Sequence, residues 1–360
     1  MRGRRTGIRC GIVGLVALVA ASVTAPAAQA HPYRHHPELT VMTRNLYLGS
    51  DLTSAVTAPD TPTFLTAVAQ IYGTAQFTDF PARAAAVADE IATDQPDLVG
   101  LQEVTQWLTS GPGVPPSQDY LTILQAALTA RDLHYEVAAT SDNANIGPVP
   151  LVRPCGSTKV GDCLVTLKDR DVLLVNADTP GLRWGHPEHG NYATQQTFTP
   201  PVPGAGPVSF NRGWVSIDGK YRGKRFHLAS THLETEKAPA VQLAQAAEFL
   251  AGPARGRGTD IAVGDFNSAA DGSTTATYAL LTSRFRDAWR VNAGDPGLTC
   301  CQDPTLTNVA SHLDKRIDLV LTRRGAKPVE AHVVGATPFQ PTPPLWASDH
   351  AGVVATLRLR

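Results

Sequence analysis

Several short apolar runs in this 360-residue chain end in clusters of carboxylates, amides and histidines, and this pattern constrains the fold most strongly. A short apolar run is typical of a strand buried in a sheet. The clusters are Gln102-Glu103, Thr231-His232-Leu233-Glu234, Gly264-Asp265-Phe266-Asn267 and Ser348-Asp349-His350. Loops that follow buried strands often carry binding and catalytic groups on a rigid scaffold. The sequence therefore predicts a site assembled at the ends of several strands.

The first 30 residues have the pattern of a secretory signal. Four arginines precede the apolar stretch Gly11–Val23, and Ala28-Gln29-Ala30 has the small residues of a cleavage site. An uncleaved anchor is the alternative, but the stretch is short and rich in Ala and Gly. We expect a secreted protein with no transmembrane segment in the mature chain. Residues 31–38 are expected to form a disordered tail, and 39–360 the folded domain.

Removal of the signal makes the chain acidic. Subtracting its four arginines from the 31 basic side chains leaves 27 against 32 acidic ones, a net charge of −5. A chain with this balance gains little long-range attraction to polyanions. The charge weakens the case for tight nucleic-acid binding, although a local basic rim or bound cations would suffice for it.

Four cysteines remain after the signal, and an even number in an exported chain favours disulfides. Cys155 and Cys163 would close a short loop that contains glycines. Cys300 and Cys301 are adjacent, so they form either one strained bridge or two separate bridges. A zinc site is the alternative, but the spacing lacks the usual CxxC pair.

Strand and helix patterns alternate in the first third of the chain, and hairpin patterns dominate the middle, which fits sheets covered by helices. Two long loops, Gly111–Ser117 and Asn176–Gly206, are rich in Pro and Gly. The predicted strands are Thr40–Leu46, Leu98–Leu101, Leu164–Leu167, Val172–Val175, Val208–Ile217, Lys224–Ser230, Ile261–Val263, Ile317–Leu321 and Gly352–Leu359. The predicted helices are Pro81–Asp94, Gln118–Arg131 and Pro239–Leu250.

Carboxylates and amides at the strand ends predict a hard-cation site. Asp265 and Asn267 are two residues apart, so both are expected on the same side of the sheet end. Gly264 would let a substrate or metal approach the backbone. Glu103 emerges from an apolar run, and Mg²⁺ needs only one or two protein carboxylates. A tight Asp-Asn turn and a surface acid are the alternative explanations.

Two histidines accompany these acids. His232 is expected to face inward at the end of its strand, whereas His227 alternates to the other face and is assigned a structural role. Asp318 lies just inside an apolar strand and needs a partner, for which His350 is the candidate. Asp349 would remain for the metal or the attacking water. With no obvious Ser or Cys nucleophile, this inventory suits activated water attacking a phosphate ester.

The ordered set of motifs resembles the endonuclease/exonuclease/phosphatase superfamily, also called deoxyribonuclease-I-like, from about Val41 to Leu359. The motifs are Thr43-Arg44-Asn45, Leu101-Gln102-Glu103, Thr231-His232-Leu233-Glu234, Gly264-Asp265-Phe266-Asn267, Arg316-Ile317-Asp318 and Ser348-Asp349-His350. The resemblance implies an α/β fold, a four-layer α/β/β/α sandwich with two central mixed β-sheets.

The resemblance also implies roles for these residues. It implies a Mg²⁺ ion, with Mn²⁺ or Ca²⁺ as alternatives, held chiefly by Glu103 with Asn45 and Asp349 nearby. The implied catalytic residues are Asp265 and Asn267, which orient water and phosphate, His232 and His350, which bracket the phosphate, Asp318, which supports His350, and Arg212 near the scissile bond. An acid that supports His232 is expected in nucleases, and Asp171 is a weak candidate.

The expected function is a phosphodiesterase that acts as a monomer, on either nucleic acid or a phospholipid headgroup. The basic residues Lys220, Arg222, Lys224 and Arg225 cluster in one hairpin and narrowly favour a nuclease. A sphingomyelinase-like or phospholipase C-like lipid hydrolase would need aromatic loop tips that enter the bilayer interface, and the loops at Trp107 and Trp184 are the candidates. An inositol-phosphate phosphatase fits export less well. A binding protein on an inactive scaffold is a further alternative, but every main site position is filled.

Overall fold

The computed structural model describes residues 36–360. The predicted signal and residues 31–35 of the predicted tail lie outside this range. Glu38, which the sequence assigned to the tail, is the first residue of a strand. Within the described range, no helix is long and apolar enough to cross a membrane.

The described chain contains eighteen strands, six α-helices and one 3₁₀ helix. The strands are β1 (Glu38–Asn45), β2 (Leu98–Gln102), β3 (Gln106–Ser110), β4 (Gln118–Asp119), β5 (Tyr135–Pro150), β6 (Leu164–Asn176), β7 (Leu182–Asn191), β8 (Gln196–Phe198), β9 (Val208–Phe210), β10 (Gly213–Tyr221), β11 (Lys224–His232), β12 (Thr259–Asp265), β13 (Arg286–Asp287), β14 (Asp318–Arg323), β15 (Ala326–Val334), β16 (Gln340–Pro341), β17 (Pro344–Leu345) and β18 (Gly352–Leu359). The helices are α1 (Thr53–Val56), α2 (Thr61–Phe77), α3 (Phe80–Asp94), α4 (Tyr120–Thr129), α5 (Pro239–Ala251), α6 (Thr277–Thr282) and the 3₁₀ helix Ala288–Val291.

Two large mixed sheets organise these elements. The first has the order β15-β18-β1-β2-β6-β3-β4, with β5 also paired to β6, and the second has the order β13-β14-β12-β11-β10-β7. Each sheet contains one parallel pair, β1 with β2 and β11 with β12, among antiparallel neighbours. Each parallel pair brings the carboxyl ends of two strands to one edge, as sheet geometry requires.

Three apolar cores separate four layers. The first core lies between α2, α3, α4 and the first sheet, and includes Phe64, Val87 and Leu124. The second lies between the two sheets, where Leu173 of the first sheet belongs to the same cluster as Val263 of the second. The third packs α5 and α6 on the outer face of the second sheet. The predicted four-layer α/β/β/α sandwich is confirmed.

Close contact between the sheets depends on one glycine in β2. A Cβ atom on Gly100 would lie 2.5 Å from Oγ of Ser230 and 2.7 Å from a methyl of Val263, both in the second sheet. Real Cβ atoms do not approach other atoms this closely, so a larger residue here would push the sheets apart. The two strand ends that carry the polar clusters are thereby held near one another.

The structure differs from the predicted elements in several places. The predicted strand Val208–Ile217 is divided into β9 and β10, which belong to different sheets. Leu164–Leu167 and Val172–Val175 belong to one continuous strand, β6, and Lys168-Asp169-Arg170 is not a turn, because Lys168 pairs with β3 and β5 and Arg170 pairs with β5. The predicted loop Asn176–Gly206 contains β7 and β8. The long helix α2 was not predicted, although its cap is clear: the Asp60 side chain accepts from the Thr63 backbone N–H, and Pro62 follows.

Candidate active site

Strand register places the predicted site residues side by side. In the second sheet, Asp265 pairs with His232 on one neighbouring strand and with Asp318 on the other. In the first sheet, Asn45 pairs with Gln102, and Glu103 follows directly. The five predicted site residues among these, which are Asn45, Glu103, His232, Asp265 and Asp318, therefore stand at the same edge of the sandwich.

Asp265 is the centre of this arrangement. Its Oδ2 accepts a hydrogen bond from Nδ2 of Asn45 at 3.1 Å. The same oxygen lies 3.4 Å from Nε2 of His232 and 3.8 Å from Nε2 of His350. Burial raises the pKa of Asp265 to about 7, with Asp318 adding to this effect and His350 opposing it. A carboxylate with this pKa exchanges protons near neutral pH.

Glu103 is held in a strained conformation at the end of β2. Its φ is 54°, in the left-handed region that residues with a Cβ rarely adopt. Its Oε2 accepts from the backbone N–H of Leu48 at 2.7 Å, and its Oε1 accepts from Nδ2 of Asn45 at 3.2 Å. Asn45 thus joins Glu103 to Asp265, and its own Oδ1 accepts from the Tyr47 N–H. Backbone strain of this kind clusters at functional sites.

His350 and Asp318 form the predicted pair. Nδ1 of His350 lies 2.8 Å from Oδ2 of Asp318, and the other Asp318 oxygen has no hydrogen-bond partner within residues 36–360. Burial alone would lower the pKa of His350, but Asp318, Asp265 and Asp349 outweigh it and raise that pKa well above 6.5. The imidazole is therefore protonated at neutral pH, with Nε2 directed toward Asp265.

His232, in contrast to His350, is uncharged. Burial, the Arg212 guanidinium and His350 lower the pKa of His232 well below 6.5, so its ring is neutral. Nη1 of Arg212 lies 3.0 Å from Nδ1 of this ring, and Nδ2 of Asn267 lies 3.1 Å from its Nε2. Nη2 of Arg212 lies 3.8 Å from Glu234. Arg212 is thus adjacent to the site, as predicted.

Asn267 reaches the site by a turn. Asn267 has a φ of 50°, and its N–H donates to Oδ1 of Asp265 at 2.9 Å. The tight Asp-Asn turn is therefore present, and the same turn brings the Asn267 amide to His232. Gly264 has a steric role in the sheet: its φ is 148°, and a Cβ there would collide with the Thr231 carbonyl of β11. The expectation that it lets a substrate or metal approach the backbone stays a prediction.

Two buried acids in the middle of β6 lie beside the site, and sequence reasoning largely missed them. Asp169 and Asp171 alternate along one face, and both oxygens of Asp171 have no hydrogen-bond partner in the described part of the chain. Burial and the charge of Glu103 raise the pKa of Asp169 to about 7. Burial and Asp169 raise the pKa of Asp171 well above 3.8. No hydrogen bond within residues 36–360 joins Asp171 to His232, so its suggested supporting role stays a prediction.

A buried arginine on α3 fixes the backbone on both sides of the site. Arg83 is fully buried and has Nε 2.9 Å from the Thr78 carbonyl. Its guanidinium also donates to the carbonyls of Leu46 at 2.6 Å, Ala347 at 3.1 Å and Tyr47 at 3.2 Å. These carbonyls flank the segments that carry Asn45 and Asp349. Sequence reasoning missed Arg83 because its partners are backbone atoms, which leave no pattern in the sequence.

The carboxylates fit the divalent cation that the resemblance implies. Burial raises the pKa of Asp349 to about 6, and the charge of Glu103 contributes to this shift while His350 opposes it. Such mutual repulsion among oxygen donors is relieved by a hard cation. Glu103 and Asp349 both line the open cleft, as does Asp265. Asn45 is less suited as a direct ligand, because its amide already bonds to Glu103, Asp265 and Tyr47.

A second cluster of possible metal ligands near the site contains two cysteines and His350. Cys300, Cys301 and His350 lie close enough to share an ion, with Sγ of Cys301 3.9 Å from Nε2 of His350. The two sulfurs are bonded to each other, however, so they are not available as thiolate ligands. Cys155 and Cys163 form the other disulfide, with Cα atoms 5.9 Å apart. The pairing that the sequence favoured is therefore present.

The cleft above these residues is acidic. Its positively charged side chains are Arg212, Lys237 and the protonated His350, whereas its acids are Asp51, Glu103, Glu234, Asp265 and Asp349. The basic hairpin residues Lys220, Arg222, Lys224 and Arg225 lie at the other end of β10 and β11. The eight steps along β11 from Lys224 to His232 span about 26 Å at about 3.3 Å per residue. The hairpin therefore does not extend the site.

Comparison with solved structures identifies the same fold in several proteins. An endonuclease/exonuclease/phosphatase from Beutenbergia cavernae shares 22% identity and a TM-score of 0.53 over 89% of this chain and 72% of its own. A mannosyl-6-phosphatase from Bacteroides thetaiotaomicron shares 16% identity and a TM-score of 0.52, over 89% and 99%. D. rerio TDP2, solved with a single-strand DNA product, shares 14% identity and a TM-score of 0.51, over 89% and 98%.

The sequence was also compared with curated proteins and with models of protein families. No curated protein matches this chain. The sequence model of the Endonuclease/Exonuclease/phosphatase family, however, matches residues 71–350, a range that includes Glu103, His232, Asp265, Asp318 and His350. The chain belongs to the endonuclease/exonuclease/phosphatase family of metal-dependent phosphoester hydrolases.

Proposed function

We propose that this protein is an exported phosphodiesterase that uses a divalent cation and an activated water. The observation that carries the proposal is the convergence of Asn45, His232 and His350 on one oxygen of Asp265, within 3.1–3.8 Å. A proton acceptor, a cationic donor and a neutral donor thus surround a space that opens into the cleft. The secretory pattern and the two disulfides support export. A monomer remains our expectation for its assembly state.

Asp265 is the proposed proton acceptor for the attacking water. Its pKa of about 7 suits a general base that operates near neutral pH. Asn45 and Asn267 both bond to this carboxylate, so they fix its orientation. The positive charge of His350 makes it a poorer proton acceptor and favours Asp265 in this role.

His350 is the proposed electrostatic partner of the phosphate. Its imidazolium presents Nε2 at the cleft while Asp318 holds Nδ1. A cation fixed in advance at this point would stabilise the charge that develops on phosphoryl oxygens in the transition state. His232 is neutral and donates or accepts from the opposite side, with Arg212 supplying a second positive charge.

Glu103 and Asp349 are the residues proposed to hold the cation. Both line the cleft next to Asp265, and Leu48 fixes the position of Glu103 through its backbone N–H. A Mg²⁺ ion held there would supply Lewis-acid charge opposite the phosphoryl oxygens. The Glu103 side chain is already oriented toward this role by its strained backbone.

Hydrolysis of bis(4-nitrophenyl) phosphate tests the proposal. We expect 4-nitrophenol release with Mg²⁺ or Mn²⁺, and slower release from the monoester 4-nitrophenyl phosphate. Glu103→Gln removes a ligand charge with little change in volume and should abolish turnover. Glu38→Gln is a matched control, because Glu38 forms a surface pair with Arg358 at the opposite end of β1 from Asn45. Activity in Glu103→Gln equal to the wild type would contradict the proposed site.

A further inference from the structure

An open pocket lies on the second sheet, at the end opposite the catalytic cleft. Its volume is about 680 Å³, within the range of small-ligand sites. Four exposed basic side chains line this basic pocket: Arg183 of β7, Lys220 of β10, Arg225 of β11 and Arg257 in the loop before β12. Seven steps along β11 lead from Arg225 to His232, so about 23 Å of strand separates the pocket from the cleft.

Three of these cations stand in one row across the sheet. Lys220 is directly opposite Arg183 on one side and Arg225 on the other. Phe226, the next residue after Arg225, belongs to the core between the sheets, so the row projects from the outer face. Side chains that are directly opposite have Cβ atoms about 5 Å apart, and like charges there destabilise a sheet. The row therefore concentrates three positive charges within about 10 Å at a cost to the fold.

A similar row in the first sheet shows how such charges are balanced by an acid. There Lys327 is directly opposite Arg358, and Arg358 is in turn opposite Glu38. The Arg358 guanidinium bonds to the Glu38 carboxylate at 2.7 Å. In the row of the basic pocket the third position is held by another cation, so an anion from outside the described chain is needed to play the same part.

The two acids that line the basic pocket do not neutralise the row. Asp218 lies 2.9 Å from Nδ1 of His227, and no ion pair in the described part of the chain joins Asp218 or Glu188 to any of the four basic side chains. Both acids stand on the cleft side of the row, Asp218 along β10 and Glu188 along β7. A chain of phosphates would thus meet negative charge on its way from the pocket to the cleft.

We propose that the basic pocket binds a compact ligand that carries several phosphate or sulfate groups. One small anion reaches only part of a row about 10 Å long, whereas several groups on one ligand reach the row and Arg257 together. Guanidinium groups form paired hydrogen bonds with such oxyanions, which adds directional specificity to the attraction of charge. The pocket shares no lining residue with the cleft, so the inference is independent of the proposed phosphodiesterase function.

Isothermal titration calorimetry with two compact polyanions tests the inference. The mature protein is titrated with inorganic tripolyphosphate and, separately, with sucrose octasulfate. No divalent cation is added, so that the acidic cleft does not hold the anion. We expect one molecule bound per chain, with affinity that falls as salt rises, because salt screens exposed charges. The ligand that binds more tightly distinguishes phosphate from sulfate recognition.

Two variants locate the bound ligand. Lys220→Gln removes the central charge and should lower the affinity about tenfold or more, as expected for one hydrogen bond to a charged group. Its melting temperature should be equal to that of the wild type or higher, because the repulsion within the row is relieved. Gly185→Trp fills the pocket without changing its charge, since a Cβ on Gly185 would meet no atom within 4 Å. Two positions are used so that a folding defect in one variant leaves the other to decide.

Lys327→Gln is the matched control. Lys327 is an exposed lysine directly opposite an arginine, as Lys220 is, but it lies on the first sheet and does not line the basic pocket. Its substitution should leave the affinity unchanged.

Loss of affinity in the pocket variants, with Lys327→Gln unchanged, supports the inference. Failure of both ligands to bind, or binding that survives both pocket variants, overturns it. A short single-stranded oligonucleotide is titrated in parallel. If it binds more tightly than either compact ligand and loses affinity in Lys220→Gln, the pocket is part of a nucleic-acid surface and the inference is wrong.

Discussion

Nδ1 of His350 lies 2.8 Å from Oδ2 of Asp318, a carboxylate with no exposed surface. This contact fixes the ring so that Nε2 faces Asp265 and the cleft. Because the histidine comes from the loop before β18 and the acid from β14, the contact also joins the two sheets. The site is therefore assembled from both halves of the sandwich.

Loss of the His350 imidazole should reduce turnover without unfolding the protein. We expect His350→Ala to lower kcat by about 10²–10⁴, the range for positioned acid–base groups. The measurement is the rate of bis(4-nitrophenyl) phosphate hydrolysis at saturating metal, with circular dichroism to check folding.

His227→Ala is the control for this prediction. His227 lies on the other face of β11, where its ring nitrogens contact Asp218 at 2.9 Å and the Pro253 carbonyl at 2.7 Å. Its removal should alter stability more than turnover. Equal losses of kcat in the two variants would show that the assignment of the faces is wrong.

The buried carboxyl of Asp169 should make the protein less stable as pH rises. Burial and Glu103 raise its pKa from 3.8 to about 7 in the folded state. The unfolded chain then ionises first, so the stability that this group contributes is complete below pH 3.8 and is lost as pH approaches 7. Asp169→Asn cannot ionise and should increase the free energy of unfolding at pH 8, by up to about 4 kcal/mol.

Urea unfolding in chelator at several pH values checks the Asp169 prediction. The advantage of Asp169→Asn should shrink steadily below pH 7 and vanish near pH 3.8, where both side chains are neutral. An advantage that does not change with pH would mean that packing, rather than ionisation, separates the two proteins.

Arg83 should be essential for the stability of the site edge. Arg83→Met would leave the carbonyls of Leu46, Tyr47 and Ala347 without their donor in a buried place. We expect the free energy of unfolding to fall by about 3 kcal/mol or more. Arg131→Met is the control, since Arg131 pairs with the exposed Asp89, and such surface pairs contribute about 1 kcal/mol or less. Similar losses in both variants would refute the special role of Arg83.

The mature protein should contain no free thiol. Four cysteines remain after the predicted signal, and the structure pairs Cys155 with Cys163 and Cys300 with Cys301. Alkylation of the unreduced, denatured protein followed by mass spectrometry should find no modified cysteine. Two alkylated cysteines would contradict the prediction, whereas a cross-linked peptide joining Cys155 to Cys300 would contradict only the pairing.

The sequence predicted most of the site because its residues stand at strand ends. Glu103, His232 and Asp265 each follow or end an apolar strand, and the period of a strand correctly separated His232 from His227. His350 differs from the expectation, because it lies in the loop before β18 rather than after a strand. The order of the motifs then indicated the four-layer sandwich. These signals are local, so a single sequence displays them.

Other features depend on contacts that are distant in the sequence. Lys168-Asp169-Arg170 has the polarity of a turn, yet pairing with β3 and β5 makes it the interior of β6. The basic hairpin lies far from the cleft because the whole length of β11 separates them, and the sequence alone does not show this separation. An apolar cavity behind the cleft is lined from seven separate segments, and nothing in any one of them indicates a gap.

The central claim is that a divalent cation held by Glu103 and its neighbours is required for phosphodiester hydrolysis. The direct test removes metal from the purified protein with chelator, verifies its absence by elemental analysis, and follows bis(4-nitrophenyl) phosphate while Mg²⁺ or Mn²⁺ is added back. We predict no turnover in the metal-free protein and saturable recovery, with Glu103→Gln requiring far more metal or failing to recover. Full activity in the verified metal-free protein would contradict the account.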